Sequence, residues 1–218
     1  MITLAEENYL KAILSISLKS DGNVSTNAIS GEIGTSAASV SDMLKKLQDK
    51  KLVKYKKYKG VSLTKKGNSF ATSVIRKHRL WETFLVNNLN FDWGEVHDLA
   101  EQLEHIKSEE LVDRLDAFLY YPKFDPHGEP IPTKDGKIPT TNTIPLNQLL
   151  EGTNGKVMGV TLDEKPFLDY LTKLNISIGT EIKLLEKISF DQSISIKTGN
   201  TKQHISNDVA KHLLIKTN

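Results

Sequence analysis

"TSAASVSDMLKKLQDKKLVKYKKYKGVSLT", residues 35–64, holds the reading from which the rest of the chain follows. It opens with Thr35 and Ser36, residue types whose side chains cap helix N-termini. It then sets Val40, Met43, Leu44 and Leu47 on one helical face. Its second half alternates apolar and basic residues around "YKG", as a β-hairpin does. Upstream, LAEENYLKAILSISL carries Leu4, Leu10, Ile13, Leu14 and Ile16 at helical spacing, and "SDGN" breaks the pattern. STNAISGEIG reads as a short helix opened by Ser25 or Thr26 and closed near Gly34. Helices followed by a basic hairpin, in this order, predict a winged helix-turn-helix over residues 1–64.

Small side chains (Ser36, Ala37, Ala38, Ser39, Ser41) line the start of the third helix, and they let a helix N-terminus approach a DNA major groove closely. Lys45 and Lys46 follow about a turn later, where phosphates would lie, and Lys54, Lys56, Lys57 and Lys59 alternate with Tyr55 and Tyr58 in the wing. The candidate DNA contacts are Ser36, Ala38, Ser39, Ser41, Asp42, Lys46, Lys57 and Lys59. Few of these make bidentate base contacts, so specificity is expected to lean on apolar contact and DNA shape. Charge agrees: residues 1–77 hold 14 Lys/Arg against 6 Asp/Glu, whereas the rest holds 15 against 21. The competing reading is a helical hairpin that packs on another protein.

Beyond the hairpin the spacing predicts a helix from Lys65 to Leu89, a second over "FDWGEVHDLAEQLEHI" and a third over "SEELVDRLDAFL". Six of the seven prolines fall in residues 122–145, which read as loop and linker. "GKVMGVTL", "TEIKLLEK", "SISIKT" and "HLLIKT" then read as short strands with one helix, "KPFLDYLTKL", between the first two, as in an SH3-like small barrel. The expected fold is mainly α with a β C-terminal domain. Its parts are a winged helix-turn-helix (1–64), a helical metal-binding and dimerisation domain (65–121), a Pro-rich linker (122–152) and an SH3-like domain (153–218). The chain has no cysteine, so thiolate metal sites and disulfides are excluded. Neither a long apolar run nor a signal-peptide pattern is present, and a cytoplasmic location without membrane attachment is expected.

"VHDLAEQLEHI", residues 96–106, puts two histidines and three carboxylates on what reads as one helix. His97, Glu101, Glu104 and His105 share an arc of about 100° on such a helix, and His78 and Glu82 share a face one helix earlier. Imidazole nitrogen and carboxylate oxygen together suit Mn²⁺, Fe²⁺, Co²⁺ or Zn²⁺. The alternative is an exposed acidic face with incidental histidines.

"RKHRLWE" (76–82), "VHDLAEQLEH" (96–105) and "DPHGEPIP" (125–132), in this order and spacing, resemble the metal-dependent repressors of the diphtheria toxin repressor and manganese transport regulator family. "VSDMLKKLQDKKLV", "YKGVSLTKKG" and "LNISIGTEIKLL" extend the likeness over nearly the full length. The resemblance implies a homodimer whose metal-bound form binds a palindromic double-stranded operator. It also implies a primary site of Asn8, Glu101, Glu104 and His105, in which Glu101 is manganese-like. Asn8 stands where family members have Asp or Met, and Lys11 where the short manganese regulators place a carboxylate. No closely spaced metal pair is therefore expected. A second site would use His78, Glu82 and His97, with Asp125 and His127 of "DPHG" and a carboxylate from "TLDEKP", Glu164 or Asp163. The expected cofactor is Mn²⁺ or Fe²⁺, with Zn²⁺ or Co²⁺ as ions such donors accept in vitro.

The expected function is a metal-dependent transcriptional repressor controlling metal-ion homeostasis, and not an enzyme. Two other readings compete: a constitutive winged-helix regulator with a purely structural metal, and a metallohydrolase. Against the last, HExxH is absent and no nucleophile accompanies the candidate ligands.

Overall fold

The computed structural model describes residues 2–19, 24–56 and 59–217; the candidate DNA contact Lys57 lies outside them. Two compact units make up the chain. The first comprises Met1–His78, Glu101–Glu110 and Pro132–Ile138, and the second Arg79–Ala100, Leu111–Ile131 and Pro139–Asn218.

In the first unit, α1 (Leu4–Lys19) begins at a capping box. Thr3 Oγ1 accepts from the Glu6 N–H at 3.3 Å, and Glu6 Oε2 accepts from the Thr3 N–H at 2.9 Å. Glu6 is buried and also receives Lys50 Nζ at 2.7 Å. Helix α2 (Thr26–Ile33) is capped by Ser25 and closed by Gly34 in the left-handed conformation. Ser36 Oγ caps α3 (Ala37–Asp49) by accepting from the Ser39 N–H at 3.2 Å. Strands β1 (Val53–Lys56) and β2 (Gly60–Leu63) pair antiparallel, with Val53 opposite Leu63, and Val24 bridges to Val61. Leu10, Ile13, Ile29, Val40, Leu44, Leu47 and Val61 form the core of this winged helix-turn-helix. Each large aliphatic buried there contributes roughly 1.5–3 kcal/mol.

Helix α4 (Lys65–Leu89) starts where Thr64 Oγ1 accepts from the Gly67 N–H at 3.1 Å. Only glycine fits at 67, because a Cβ there would stand 1.9 Å from the Leu52 carbonyl oxygen. The helix has the extent the spacing predicts. Its successor does not: α5 covers only Val96–Leu103. Asp92 Oδ1 accepts from the Gly94 N–H at 2.8 Å, and the Glu95 N–H reaches the Asp92 carbonyl at 3.0 Å. That side-chain-stabilised turn takes the place of a first helical turn. At its other end α5 stops at Leu103, and Glu104 and His105 lie in a turn beyond it, not on its face.

In the second unit, α6 (Glu109–Phe118) contributes Val112 and Leu115 to an apolar cluster with Leu80 and Ile131. Phe84 packs edge-on against Trp81 and Phe118, whose ring remains 56% exposed. The β domain is one antiparallel six-stranded sheet in the order β3-β8-β4-β5-β6-β7. Its strands are β3 (Ile144–Pro145), β4 (Asn154–Val160), β5 (Glu181–Lys187), β6 (Ile194–Thr198), β7 (Thr201–Ile205) and β8 (Leu213–Thr217). Irregularities at Val157/Gly159 and Leu184/Glu186 bend it. Helix α7 (Lys165–Lys173) buries Leu168 and Leu171 into the sheet's core, and α8 (Asn207–Ala210) precedes β8. Among the described residues, no helix is long and apolar enough to cross a membrane.

Candidate functional site

Within the first unit, one face of α1 meets the turn after α5. Glu7 Oε2 lies 2.6 Å from His105 Nδ1. One turn along, Lys11 Nζ lies 2.7 Å from Glu104 Oε2 and 3.1 Å from Glu101 Oε1. From α4, His78 Nδ1 approaches the same Glu104 oxygen at 2.6 Å, so the proton between them sits on that axis. Glu104 is fully buried, and its other oxygen, Oε1, is buried without a hydrogen bond. Burial pushes its carboxyl up, but the His78 hydrogen bond and the Lys11 charge outweigh this and hold it below its ordinary value. A buried, ionised carboxylate with one oxygen unsatisfied is the donor an incoming cation needs. Lys11 thus joins Glu101 to Glu104, and His105 Nε2 lies 3.8 Å from Glu104 Oε1. Asn8 is exposed, and the α1 carboxylate that reaches the cluster is Glu7. The signal for Glu7 was its i, i+4 relation to Lys11, which puts both on one helical face.

The second unit holds a deeper cluster. Glu82, Asp125 and His127, all buried, each offer a ligand atom within 4.8 Å of the others'. Asp125 Oδ1 shapes its own loop by accepting the N–H of His127 and of Glu129, both at 2.9 Å. Its Oδ2 is buried without a hydrogen bond, 3.5 Å from Arg79 Nε. His127 Nε2 lies 2.8 Å from the Trp93 carbonyl, which only accepts, so Nε2 carries the hydrogen. That leaves Nδ1, 3.6 Å from Glu82 Oε2, as the nitrogen available to an ion. His97 Nδ1 stands 3.5 Å from Glu82 Oε1 and 3.5 Å from Asp163 Oδ2. The carboxylate of "TLDEKP" near the cluster is Asp163, while Glu164 is exposed as the residue preceding α7. His78 belongs to the first unit and is engaged with Glu104. The second cluster fits a divalent ion, with nitrogen and oxygen donors within 4.8 Å of one another. In the first, Lys11 stands between Glu101 and Glu104, and Glu104 keeps a buried oxygen without a hydrogen bond, the kind of donor a cation takes.

Buried beside the Glu82 carboxylate, Asp125 and His127 titrate away from their ordinary values. Burial, then the charges of Glu82 and Glu129, push Asp125 up to about 7. Burial pulls His127 down, but the hydrogen bond and charge of Glu82 and the charge of Asp125 carry it up to about 9. The loop depends on Gly128, at φ +83°, where a Cβ would meet the Met158 carbonyl oxygen at 2.0 Å. Gly128→Ala is therefore expected to destabilise the protein by about 2–4 kcal/mol, from left-handed backbone strain and overpacking. Displacing Asp125 and His127 should weaken this site's metal affinity by roughly 10–100-fold. Thermal unfolding and isothermal titration with Mn²⁺ check both; an unchanged melting midpoint would refute the clash.

At the DNA-reading face, Ala38, Ser39, Asp42 and Lys46 are exposed. Ser36 caps its own helix and lies 2.9 Å from Ser39 Oγ, and Ser41 Oγ donates to the Ala37 carbonyl at 2.9 Å. Asp42 pairs with Lys45 at 3.0 Å, which places that acid beside a base on the open surface. Lys59 is exposed in the wing, its N–H closing the turn onto the Lys56 carbonyl.

Comparison with known proteins gives this geometry its family. Residues 1–61 match the iron dependent repressor N-terminal DNA binding domain, and residues 64–133 the iron dependent repressor metal binding and dimerisation domain. Residues 144–217 match the FeoA domain. A solved manganese-dependent transcriptional repressor in complex with manganese is 34% identical, with a TM-score of 0.89 over 98% of this chain and 100% of its own. The iron-dependent repressor IdeR of Mycobacterium tuberculosis is 35% identical over 127 residues, 58% of this chain and 54% of IdeR. A probable metal transport system membrane protein of Chlamydia trachomatis is 45% identical over 76 residues, 35% of this chain. The matched stretches span about half of IdeR (54%) and 17% of the chlamydial protein. The chain belongs to the metal-dependent transcriptional repressors of the iron-dependent repressor family.

Proposed function

We propose that the protein is a metal-activated DNA-binding repressor that acts as a homodimer on a palindromic operator and controls metal-ion homeostasis. The observation that carries this reading is the junction of α1 with Glu101, Glu104 and His105 inside the winged-helix unit. An ion held by Glu101, Glu104 and His105, with Glu7 beside it, fastens α1 to the turn after α5. In a dimer that would fix the separation of the two α3 helices. Metal then stabilises the DNA-competent state, and DNA must tighten metal binding by the same factor. The oxygen-rich donor set favours Mn²⁺, with Fe²⁺ next. Glu82, His97, Asp125, His127 and Asp163 hold a second ion. Exposed Phe118, edge-on to Phe84, suits the dimer surface. The exposed residues of α3 and Lys59 meet DNA, and binding weakens steeply with salt.

The test is DNA binding by chelator-stripped protein to a family-like palindrome while Mn²⁺, anaerobic Fe²⁺ and Zn²⁺ are titrated. A gain of roughly tenfold or more on adding metal supports a sensor. Equal affinity with and without metal would instead establish a constitutive DNA binder with a structural ion.

A further inference from the structure

Lys11 is a cation already inside a site read as a cation site. Its Nζ faces Glu104 Oε2 at 2.7 Å, Glu101 Oε1 at 3.1 Å and His78 Nδ1 at 3.3 Å. Two carboxylate oxygens are the donor type a hard divalent ion recruits. The side chain is only 16% exposed and Glu104 only 1%, so solvent screens this pair far less than a surface ion pair. An ion bound to the open Oε1 of Glu104 and to Glu101 would share both carboxylates with the ammonium on their other contacts and be repelled by its charge.

We propose that Lys11 is a tethered competitor cation. In the metal-free protein it neutralises Glu101 and Glu104 and holds α1 to the turn after α5. A divalent ion must displace it, so Lys11 sets the metal concentration at which the protein responds. This rests on the reading of Glu101, Glu104 and His105 as ligands. Asn8 strengthens the consequence: a neutral, exposed amide adds no charge to offset the ammonium.

A purely structural salt bridge and a competitor differ in the sign of what its removal does. Loss of a structural bridge weakens the fold and leaves metal affinity equal or lower. Loss of a competitor weakens the metal-free fold but tightens metal binding. The experiment is isothermal titration of Mn²⁺ into the stripped full chain, with thermal unfolding of the metal-free form, for the parent protein, Lys11→Met, Lys11→Gln and Lys11→Arg. The phase compared is the one Glu104→Gln removes. Lys11→Met and Lys11→Gln are expected to bind Mn²⁺ roughly tenfold more tightly or better while melting lower without metal, and Lys11→Arg to stay within about threefold of the parent. Should Lys11→Met fail to fold, Lys11→Gln carries the comparison. Unchanged or weaker affinity in the neutral variants overturns the competitor role and leaves the site standing. If Glu104→Gln removes no phase, the ligand assignment itself fails and the competitor role falls with it.

Discussion

Glu104→Gln is expected to abolish the metal response of DNA binding, leaving operator affinity in saturating Mn²⁺ close to that of the stripped protein. The substitution keeps the side chain's shape and removes its charge. An amide cannot serve the His78 proton at 2.6 Å and the Lys11 ammonium at 2.7 Å as well as a carboxylate does. If the amide nitrogen takes the Oε2 place, donor faces donor; if it takes the Oε1 place, the open oxygen is gone. The expected loss is the whole coupling between metal and DNA, roughly 1–3 kcal/mol or 5–150-fold. Because the folded carboxyl lies below its ordinary value of 4.5, Glu104 stabilises the protein above that pH, and this stabilisation is lost as pH falls through the folded value. The variant should therefore show a flatter acid limb. Fluorescence anisotropy of a labelled operator, with and without Mn²⁺, reads the first effect. A variant retaining the parent's metal gain would show that the ion does not use Glu104.

The second large effect is proton release. With Asp125 raised to about 7 and His127 to about 9, the stripped cluster at pH 7 holds a proton on His127 and is partly protonated at Asp125. An ion taking His127 Nδ1 and the Asp125 carboxylate must expel both, so about one to two protons should leave per ion bound there at pH 7. Titrations in buffers of different ionisation enthalpy measure the number, and His127→Ala should remove most of it. Zero release would mean that these groups are not ligands. The same shifts give a sign for stability. His127, raised above its ordinary value of 6.5, stabilises the fold fully below that value, and this is lost as pH rises through about 9. Asp125, also raised, favours the folded state in its protonated form, so its contribution falls as pH climbs from 3.8 to about 7. Both say that the metal-free protein should melt lower at pH 9 than at pH 6, and that bound metal should remove this slope.

Long periodic helices and β-branched strands were legible in the sequence because burial writes its period into them, as in α4 and in "SISIKT" of β6. Strand β7, "TKQHI", carries no such pattern. It is the sheet's edge and buries only Ile205, so nothing distinguishes it from loop. In the candidate site, the residue types and their grouping were readable, but the exact neighbour was not. Glu7 reaches the cluster while Asn8 faces solvent, and Asp163 approaches His97 while Glu164 sits at the start of α7. Adjacent residues on a helix differ by about 100° in direction, and only packing decides which one turns inward. Asp92 explains the shortened α5 likewise: a side-chain hydrogen bond to Gly94 competes with the first turn, and hydrophobic spacing carries no trace of it.

Trp93 gives the second cluster an optical voice. Its indole stacks on His127 with ring centroids 6.1 Å apart and planes 20° from parallel, while its Nε1–H donates to Thr172 Oγ1 at 3.0 Å. A charged imidazolium against an indole face is a cation–π pair, and such a neighbour dims tryptophan emission. When an ion replaces the proton on His127, that neighbour changes its charge and electronic character while the indole stays pinned. The chain has one other tryptophan, Trp81, packed against Phe84. The unlabelled protein therefore carries its own lamp for this site, bright or dim according to what sits on a single histidine.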